Sequence, residues 1–378
     1  MVPLNALPIV WVAGVHWDGV EGTDRRMVLA LRDAGHQVRW VEHPRQHKRW
    51  FAADTSPIDV EGVAVHPLWV PPGFSRPGIR VVTNAQARRA IQRVASPQAI
   101  VVVASPLAVL PPAESVSRNI LFVTDDWVAG ATLMGLSEGY LLSPPQTNLA
   151  RADAVVVVSP ELERLVRVWW KPAHAQQQMP PVYVVPNGAP VVSEPEHAVP
   201  RSAQAVLVGQ VNARTDLALV RAVLDRGIAL TAVGPLTELD ESFRSRWEAL
   251  VAHPLMSWLG RAPADEVAEH LLTAGVGLVP YTLSTFNRSS SPLKTLEYLA
   301  SGLRVVSSAL PSSAMIAPPA VVCASTPSEF ADAVADALLD LGNVQVEALC
   351  RATAAANSWQ ARAARFASIA VGTALPRT

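Results

Sequence analysis

The chain has 378 residues, more than one ordinary domain needs and enough for two of about 150–200 residues each. Half of the residues are hydrophobic and 17% are charged, which excludes a disordered or fibrous chain. Lys+Arg (31) nearly balances Asp+Glu (32), and a net charge of −1 argues against a nucleic-acid binder, which carries a basic excess.

The opening, MVPLNALPIVWVAG, has no basic stretch ahead of its apolar run, so no secretory leader is expected. Nor does any apolar run reach the roughly 18–20 residues that span a bilayer, and a cytoplasmic protein is expected. Strands are predicted at Pro8–Ala13, Gln37–Val41, Val63–Val70, Ala99–Ala104, Asn119–Thr124, Ala154–Ser159 and Val182–Val185. Several are apolar at successive positions, the pattern of a parallel strand covered on both faces. Helices are predicted between them at Thr23–Ala34, Ala85–Val94 and Pro160–Val168, the last with Ser159 as N-cap and Pro160 in first position. Pro186–Ser202 is rich in proline, lacks apolar periodicity and reads as a linker.

A second alternation follows. Strands are predicted at Ala203–Gly209, Ile228–Val233, Met256–Leu259, Val276–Pro280, Leu303–Ser307 and Ala320–Cys323. The helices are Thr215–Asp225, Leu239–Val251, Pro263–Thr273, Pro292–Ser301, Pro327–Leu341 and Val344–Ala355. Cys323 and Cys350 stand in no metal-ligand or C-x-x-C pattern. The segment Ser358–Val371 repeats apolar residues at helical spacing, and reads either as a last helix of the second domain or as one crossing back to the first. The expected class is α/β: two Rossmann-like, doubly wound parallel sheets, residues 1–188 and 203–356, with 357–378 as a C-terminal helix. Ligands of such sheets sit beyond the carboxyl ends of the strands, which here points to the gap between the domains.

The stretch Gly277–Ser308 carries the most chemistry: GLVPYTLSTFNRSSSPLKTLEYLASGLRVVSS. A buried strand is expected to end at Pro280, followed by a polar loop, Tyr281–Ser291, and a helix opening at Pro292 with Ser291 as N-cap. That helix end offers unpaired N–H groups and a positive dipole, an anion site. Lys294 in its first turn is unfavourable with the dipole unless a bound phosphate compensates it. Glu297 can hydrogen-bond paired hydroxyls. The same two residues read equally as an ordinary i,i+3 ion pair.

The run Ser291-Pro-Leu-Lys-Thr-Leu-Glu-Tyr-Leu-Ala-Ser-Gly resembles the donor-site motif of GT-B glycosyltransferases, in particular the retaining enzymes of glycosyltransferase family 4. Weaker likenesses run along the chain: Val184-Val-Pro-Asn-Gly, Trp258-Leu-Gly-Arg, Ala152-Asp-Ala-Val-Val-Val-Val-Ser, Gly35-His-Gln-Val, and Val123-Thr-Asp-Asp-Trp. The last resembles a D-D-W subgroup that includes enzymes of cell-envelope polysaccharide assembly. The resemblance implies a GT-B fold, with an acceptor-binding first domain and a nucleotide-sugar-binding second domain. It implies donor binding by Ser291, Pro292, Leu293, Lys294 and Arg288 at the diphosphate and Glu297 at the ribose. Leu259, Gly260 and Arg261 would border the base, and Gly19 or Gly22 would let the first-domain loop approach the sugar phosphate. Arg214, in Gly209-Gln-Val-Asn-Ala-Arg, falls where the family often carries a basic diphosphate ligand, and reads equally as a solvated helix-start arginine. One departure stands out: many family members carry a glutamate eight residues before the position of Glu297, where this chain has Ser289.

The implied reaction is transfer from a UDP- or GDP-sugar to an acceptor hydroxyl, with retention. No convincing D-x-D motif is present, so the departing diphosphate falls to Lys294, the helix N-terminus, Arg214 and Arg288, and no metal and no cofactor are expected. Asp125 and Asp126, at the carboxyl end of a strand, and His16, after the first strand, are the catalytic candidates. The acceptor is a sugar, a lipid-linked molecule or a small molecule. The basic–aromatic runs Arg45–Phe51 and Arg164–Lys171 suit peripheral contact with an anionic membrane face, or equally a core with snorkelling arginines. The competing readings are a GT-B-fold sugar-nucleotide epimerase and a catalytically silent sugar-nucleotide-binding protein, which Ser289 favours. An NAD-dependent oxidoreductase is disfavoured, since Val12-Ala-Gly-Val-His-Trp lacks the second glycine of G-x-G-x-x-G.

Overall fold

The computed structural model describes residues 8–19, 21–74, 76, 78–131, 138–172, 177–192 and 199–373. The chain divides into two compact units. One runs as far as Pro186 and takes back the segment from Trp359; the other is Asn187–Ser358.

The first unit contains β1 (Ile9–Val12), α1 (Thr23–Asp33), β2 (Val38–Val41), β3 (Arg45–Gln46), β4 (Ile58–Val60), β5 (Val63–His66) and β6 (Trp69–Val70). These are followed by α2 (Ile79–Val94), β7 (Ile100–Val103), β8 (Arg118–Val123), α3 (Glu138–Leu149), β9 (Ala154–Val157), α4 (Pro160–Trp169) and β10 (Val182–Val184). Eight strands form one sheet in the order β10-β9-β8-β7-β1-β2-β5-β4. All neighbours are parallel except the edge pair β4–β5. The central strands β1, β7 and β9 are buried at every position, as their unbroken apolar runs require when helices cover both faces. The predicted strand Val63–Val70 is two strands. Pro67 has no N–H to give a ladder, and β6 pairs with β3 in a separate two-stranded sheet. The β4–β5 hairpin turns at Glu61 and Gly62, both at positive φ (54° and 75°), the conformation a tight two-residue hairpin needs. Ser159 caps α4, its hydroxyl accepting from Leu162 N–H at 3.2 Å.

The second unit contains β11 (Gln204–Val208), α5 (Leu217–Asp225), β12 (Ala229–Val233), α6 (Glu241–Val251), β13 (Met256–Trp258), α7 (Ala264–Thr273) and β14 (Val276–Val279). It continues with α8 (Thr285–Ser289), α9 (Leu293–Ala300), β15 (Arg304–Ser308), β16 (Val321–Ala324), α10 (Pro327–Leu339) and α11 (Val344–Ala356). Its six strands, all parallel, run β13-β12-β11-β14-β15-β16. The last helix, α12 (Trp359–Ala370), belongs to the first unit. Phe366 on α12 is fully buried, 5.4 Å from the Trp11 ring and 5.7 Å from Phe122, so truncating it to alanine should cost about 3–5 kcal/mol.

The described part of the predicted linker is anchored at its start. Asn187 and Ala189 are buried, and Ala189 N–H donates to Asn357 C=O at 2.8 Å. Residues 193–198 of that segment lie outside the described residues.

Candidate functional site

In the second unit the strand order reverses between β11 and β14, the switch point at which open α/β sheets bind their ligands. The loops leaving these two strands are knitted together there. Asp216 N–H donates to Pro280 C=O at 2.7 Å, and Thr282 N–H to Arg214 C=O at 2.8 Å. Asn287, completely buried, bridges them with its amide donating to Arg214 C=O (3.2 Å), Thr282 C=O (2.9 Å) and Thr282 Oγ1 (3.0 Å). Its Oδ1 accepts from Arg214 Nε at 2.8 Å. The Arg214 guanidinium lies 4.9 Å from the Tyr281 ring centroid and 5.0 Å from that of Phe286. Arg214 therefore precedes α5, whose N-cap is Asp216, and is held in place rather than solvated.

Three glycines at positive φ shape this edge: Gly209 (134°), Gly234 (147°) and Gly260 (66°). A Cβ on Gly234 would stand 1.8 Å from Gly209 C=O, a position no side chain can take. A Cβ on Gly209 would stand 3.6 Å from Lys294 Cε, so the lysine stem crosses directly over the end of β11.

The helix bearing Lys294 begins one residue later than predicted. Its N-cap is Pro292, with no side-chain cap, and Leu293 is its first residue. Ser291 is no cap; its carbonyl accepts from Asn187 Nδ2 at 2.7 Å. The first-turn N–H groups thus have no side chain capping them. Lys294 Nζ pairs with Glu297 Oε2 at 2.7 Å, the two side chains being 28% and 12% exposed. The i,i+3 pair left open by the sequence is present. The predicted polar loop after β14 contains the short helix α8, capped by Ser284 Oγ. Arg288 at its end is exposed, whereas Ser289 is buried. Leu259 and Arg261 are exposed on either side of Gly260. The tyrosine after Glu297 is structural: Tyr298 hydroxyl accepts from Val208 N–H at 2.8 Å, and its ring fills the space a Cβ on Gly277 would need. Burial pushes its hydroxyl far above the usual tyrosine range.

The first unit also reverses its strand order, between β1 and β7. Gly14 is pressed there against Ala104 C=O, which a Cβ would meet at 2.7 Å. Gly14 N–H donates to Asp24 Oδ2 at 3.0 Å. Burial, with the charge of nearby Asp125, pushes the Asp24 carboxyl up to about 7. Gly19 closes a turn by donating to His16 C=O at 3.1 Å, and Gly22 is the extended N-cap of α1. Asp126 is buried and caps backbone, Oδ1 accepting from Ala129 N–H at 2.9 Å; burial raises its carboxyl. Asp125 is half-buried.

Sequence reasoning missed Glu42, the buried residue following β2. Its Oε1 accepts from Trp17 N–H (2.7 Å) and Trp40 Nε1 (3.0 Å), and its Oε2 from Arg45 Nε (2.7 Å) and His16 Nδ1 (3.1 Å). A carboxylate at a strand end following a Trp-Val pair was the available signal. This contact orients the His16 ring and leaves Nε2 as its other polar atom.

The two basic–aromatic runs differ. In Arg164–Lys171, Trp169 is buried and stacked on Trp127 at 6.4 Å, while Arg164 and Arg167 pair with Glu161 and Glu163. In Arg45–Phe51, Lys48 and Arg49 are exposed and Phe51 is 74% exposed. Among the described residues no helix is long and apolar enough to cross a membrane.

Residues 202–340 match the family model of the group 1 glycosyl transferases. That stretch lies within the second unit. Over 90 residues the chain is 37% identical to a protein of Bacillus subtilis (strain 168) named for teichuronic acid biosynthesis, the glycosyltransferase TuaH. That match spans 24% of this chain and 22% of the relative, so less than a quarter of the curated relative's length is covered. Among solved structures, one of an E. coli trehalose-6-phosphate protein bound with UDP-2-fluoro glucose superposes with a TM-score of 0.68 at 14% identity. It covers 98% of this chain and 100% of that one. WaaG, described as a glycosyltransferase involved in lipopolysaccharide biosynthesis, gives 0.65 at 13% identity over 96% and 100% of the two chains. These likenesses show the fold, a GT-B architecture.

Proposed function

We propose that the chain is a glycosyltransferase that moves a sugar from a nucleotide-diphosphate sugar to an acceptor hydroxyl, with retention and without a metal ion. The observation that carries the reading is Lys294 lying against the end of β11 at the switch point, where Arg214 is fixed by Asn287 and lies near two aromatic rings. Departure of a nucleoside diphosphate develops negative charge, and fixed cations with uncapped helix N–H groups stabilise it. Lys294, Arg214, Arg288 and the start of α9 (Ser291 to Leu293) serve the diphosphate, Glu297 the ribose, and Leu259 to Arg261 the base.

The first unit supplies the acceptor groups: His16, oriented by Glu42, and Asp125, with Asp126 holding the loop. Gly19 and Gly22 leave room for the sugar phosphate. The exposed Lys48, Arg49 and Phe51 suit contact with an anionic membrane face, in a protein working at the cytoplasmic side. The relative named for teichuronic acid synthesis supports a polysaccharide or lipid-linked acceptor. A catalytically silent nucleotide-sugar binder is the second reading. Ser289 favours it, because the buried hydroxyl stands where the resembled family places a glutamate.

Thermal shifts with UDP-, GDP- and TDP-sugars identify the donor, since a ligand of the native state raises its melting temperature. Nucleoside diphosphate release that depends on acceptor, survives EDTA and gives an axial-to-axial product by NMR supports the full proposal. Binding without release supports the silent binder.

A further inference from the structure

The first unit contains a cavity of about 420 Å³, lined in part by His16, His43, Arg45, Gln46, Trp69 and Phe74. Its size falls within the roughly 300–1,000 Å³ of small-molecule sites. All of its lining comes from the segments following β1 and β2 and from the β6 region, so it is complete within one unit.

We propose that this cavity receives the acceptor as an uncharged pyranose ring, stacked on its aromatic wall with a hydroxyl directed to the histidines. The inference rests on the glycosyltransferase reading above and adds the acceptor's chemical class.

Its charge is the first argument. Arg45 is the cation on the lining, and it is paired with two carboxylates: Nε donates to Glu42 Oε2 at 2.7 Å and Nη2 to Asp18 Oδ1 at 2.5 Å. One cation facing two carboxylates leaves no net positive charge for a phosphate or a uronate. Burial pushes the His43 imidazole down to about 4, with His16 adding to the shift, so at neutral pH it brings no charge either.

Hydrogen-bonding capacity is the second. His43 Nδ1 is buried and has no hydrogen-bond partner, and a buried polar atom left unpaired costs about 1–3 kcal/mol. The His43 ring stands edge-on to His16 at 5.0 Å and to Phe74 at 6.4 Å. Neutral imidazoles both donate and accept, which matches a hydroxyl group, itself both donor and acceptor. The third argument is the wall itself: Trp69, fixed by donating from Nε1 to Asp54 C=O at 2.6 Å, and Phe74 supply flat apolar faces for the C–H face of a sugar ring.

Saturation-transfer NMR on the full chain tests this with p-nitrophenyl glycosides of glucose, galactose, mannose and N-acetylglucosamine. Glucose 6-phosphate and p-nitrophenyl glucuronide are the anionic probes. At least one neutral glycoside is expected to bind at least tenfold more tightly than either anion. His43→Ala and Phe74→Ala should each weaken it at least fivefold, with circular dichroism unchanged. Gln46→Ala, at an exposed position, repeats the test if either variant misfolds. Silence from every neutral glycoside, anions binding as well as neutral sugars, or binding untouched by all the variants overturns the proposal. UDP and GDP in the same samples report the donor reading separately. Nucleotide binding with silent glycosides removes the cavity and leaves the donor site; glycoside binding with silent nucleotides does the reverse.

Discussion

Lys294 Nζ sits 2.7 Å from Glu297 Oε2 on the first turns of α9, so the two residues proposed for diphosphate and ribose are paired with each other. A partly exposed pair of this kind contributes about 0.2–1 kcal/mol, and a donor can exchange it cheaply for its own contacts. Lys294→Ala should therefore lower nucleotide affinity about 10- to 100-fold by calorimetry while changing stability by less than about 1 kcal/mol. A large loss of stability with unchanged affinity would make the pair purely structural.

Arg214 is bound by geometry that lysine cannot copy. Its guanidinium meets Asn287 Oδ1 and lies near two aromatic rings. Arg214→Lys keeps the charge but loses the planar contacts. We expect about a tenfold loss of nucleotide affinity and about 1 kcal/mol of stability by urea titration, where a solvated arginine would tolerate the change.

Gly234 has neither the φ nor the space for a side chain. Gly234→Ala should cost more than about 3 kcal/mol, beyond an ordinary glycine effect of about 1 kcal/mol. Gly227→Ala is the control: its φ is also positive, at 81°, but nothing stands within 4 Å of its Cβ position. Equal losses would show that backbone conformation, not the Gly209 carbonyl, sets the cost.

Asp24 and His43 act on stability with opposite signs over overlapping pH ranges. The Asp24 carboxyl is raised by burial from 3.8 to about 7, so the folded state holds a proton that the unfolded chain has lost. This contribution is complete below about pH 4 and is lost as pH rises to 7. His43 is lowered by burial from 6.5 to about 4, so its contribution is complete above about pH 6.5 and lost as pH falls toward 4. Asp24→Asn should gain about 1–3 kcal/mol relative to wild type between pH 4 and 7, the gain growing with pH. His43→Gln should gain as pH falls over the same range. Denaturant titrations at pH 4.5, 5.5 and 7 check both; parallel curves would mean neither group is perturbed.

Much of the fold was legible because a parallel strand buried on both faces leaves an unmistakable run of Ile, Val and Ala, as in Ile100–Val103. Elements that tertiary context decides were not. The helix Glu138–Leu149 contains Pro144 and Pro145, which local propensity counts against a helix. The start of α2 at Ile79 lies ahead of the expected Ala85, since its first turns are β-branched (Ile79, Val81, Val82 and Thr83), residues that local propensity does not favour in a helix. On the site, Lys294 stood out because a cation in a helix's first turn asks for a partner, and Glu297 because it lies three residues on along the same helix; Arg214 was marked only by the family resemblance. Glu42 and Asn287 did not stand out, because their importance lies in bonds to residues up to 73 positions away, which no local pattern encodes. Ser291 looked like a cap and is not one, the neighbouring proline having taken that position.

Because Trp359–Ala370 returns to the unit that contains Ile9–Val12, the second unit is an insertion in the covalent sense. During synthesis the earlier half waits for its final helix, and Trp11 and Phe122 lack the Phe366 ring until then. Asn187–Ser358 is a contiguous piece and can mature first. A fragment ending at Pro186 is therefore a poor vehicle for isolating the first unit; a fusion that splices Pro186 to Trp359 through a short flexible joint restores the missing aromatic.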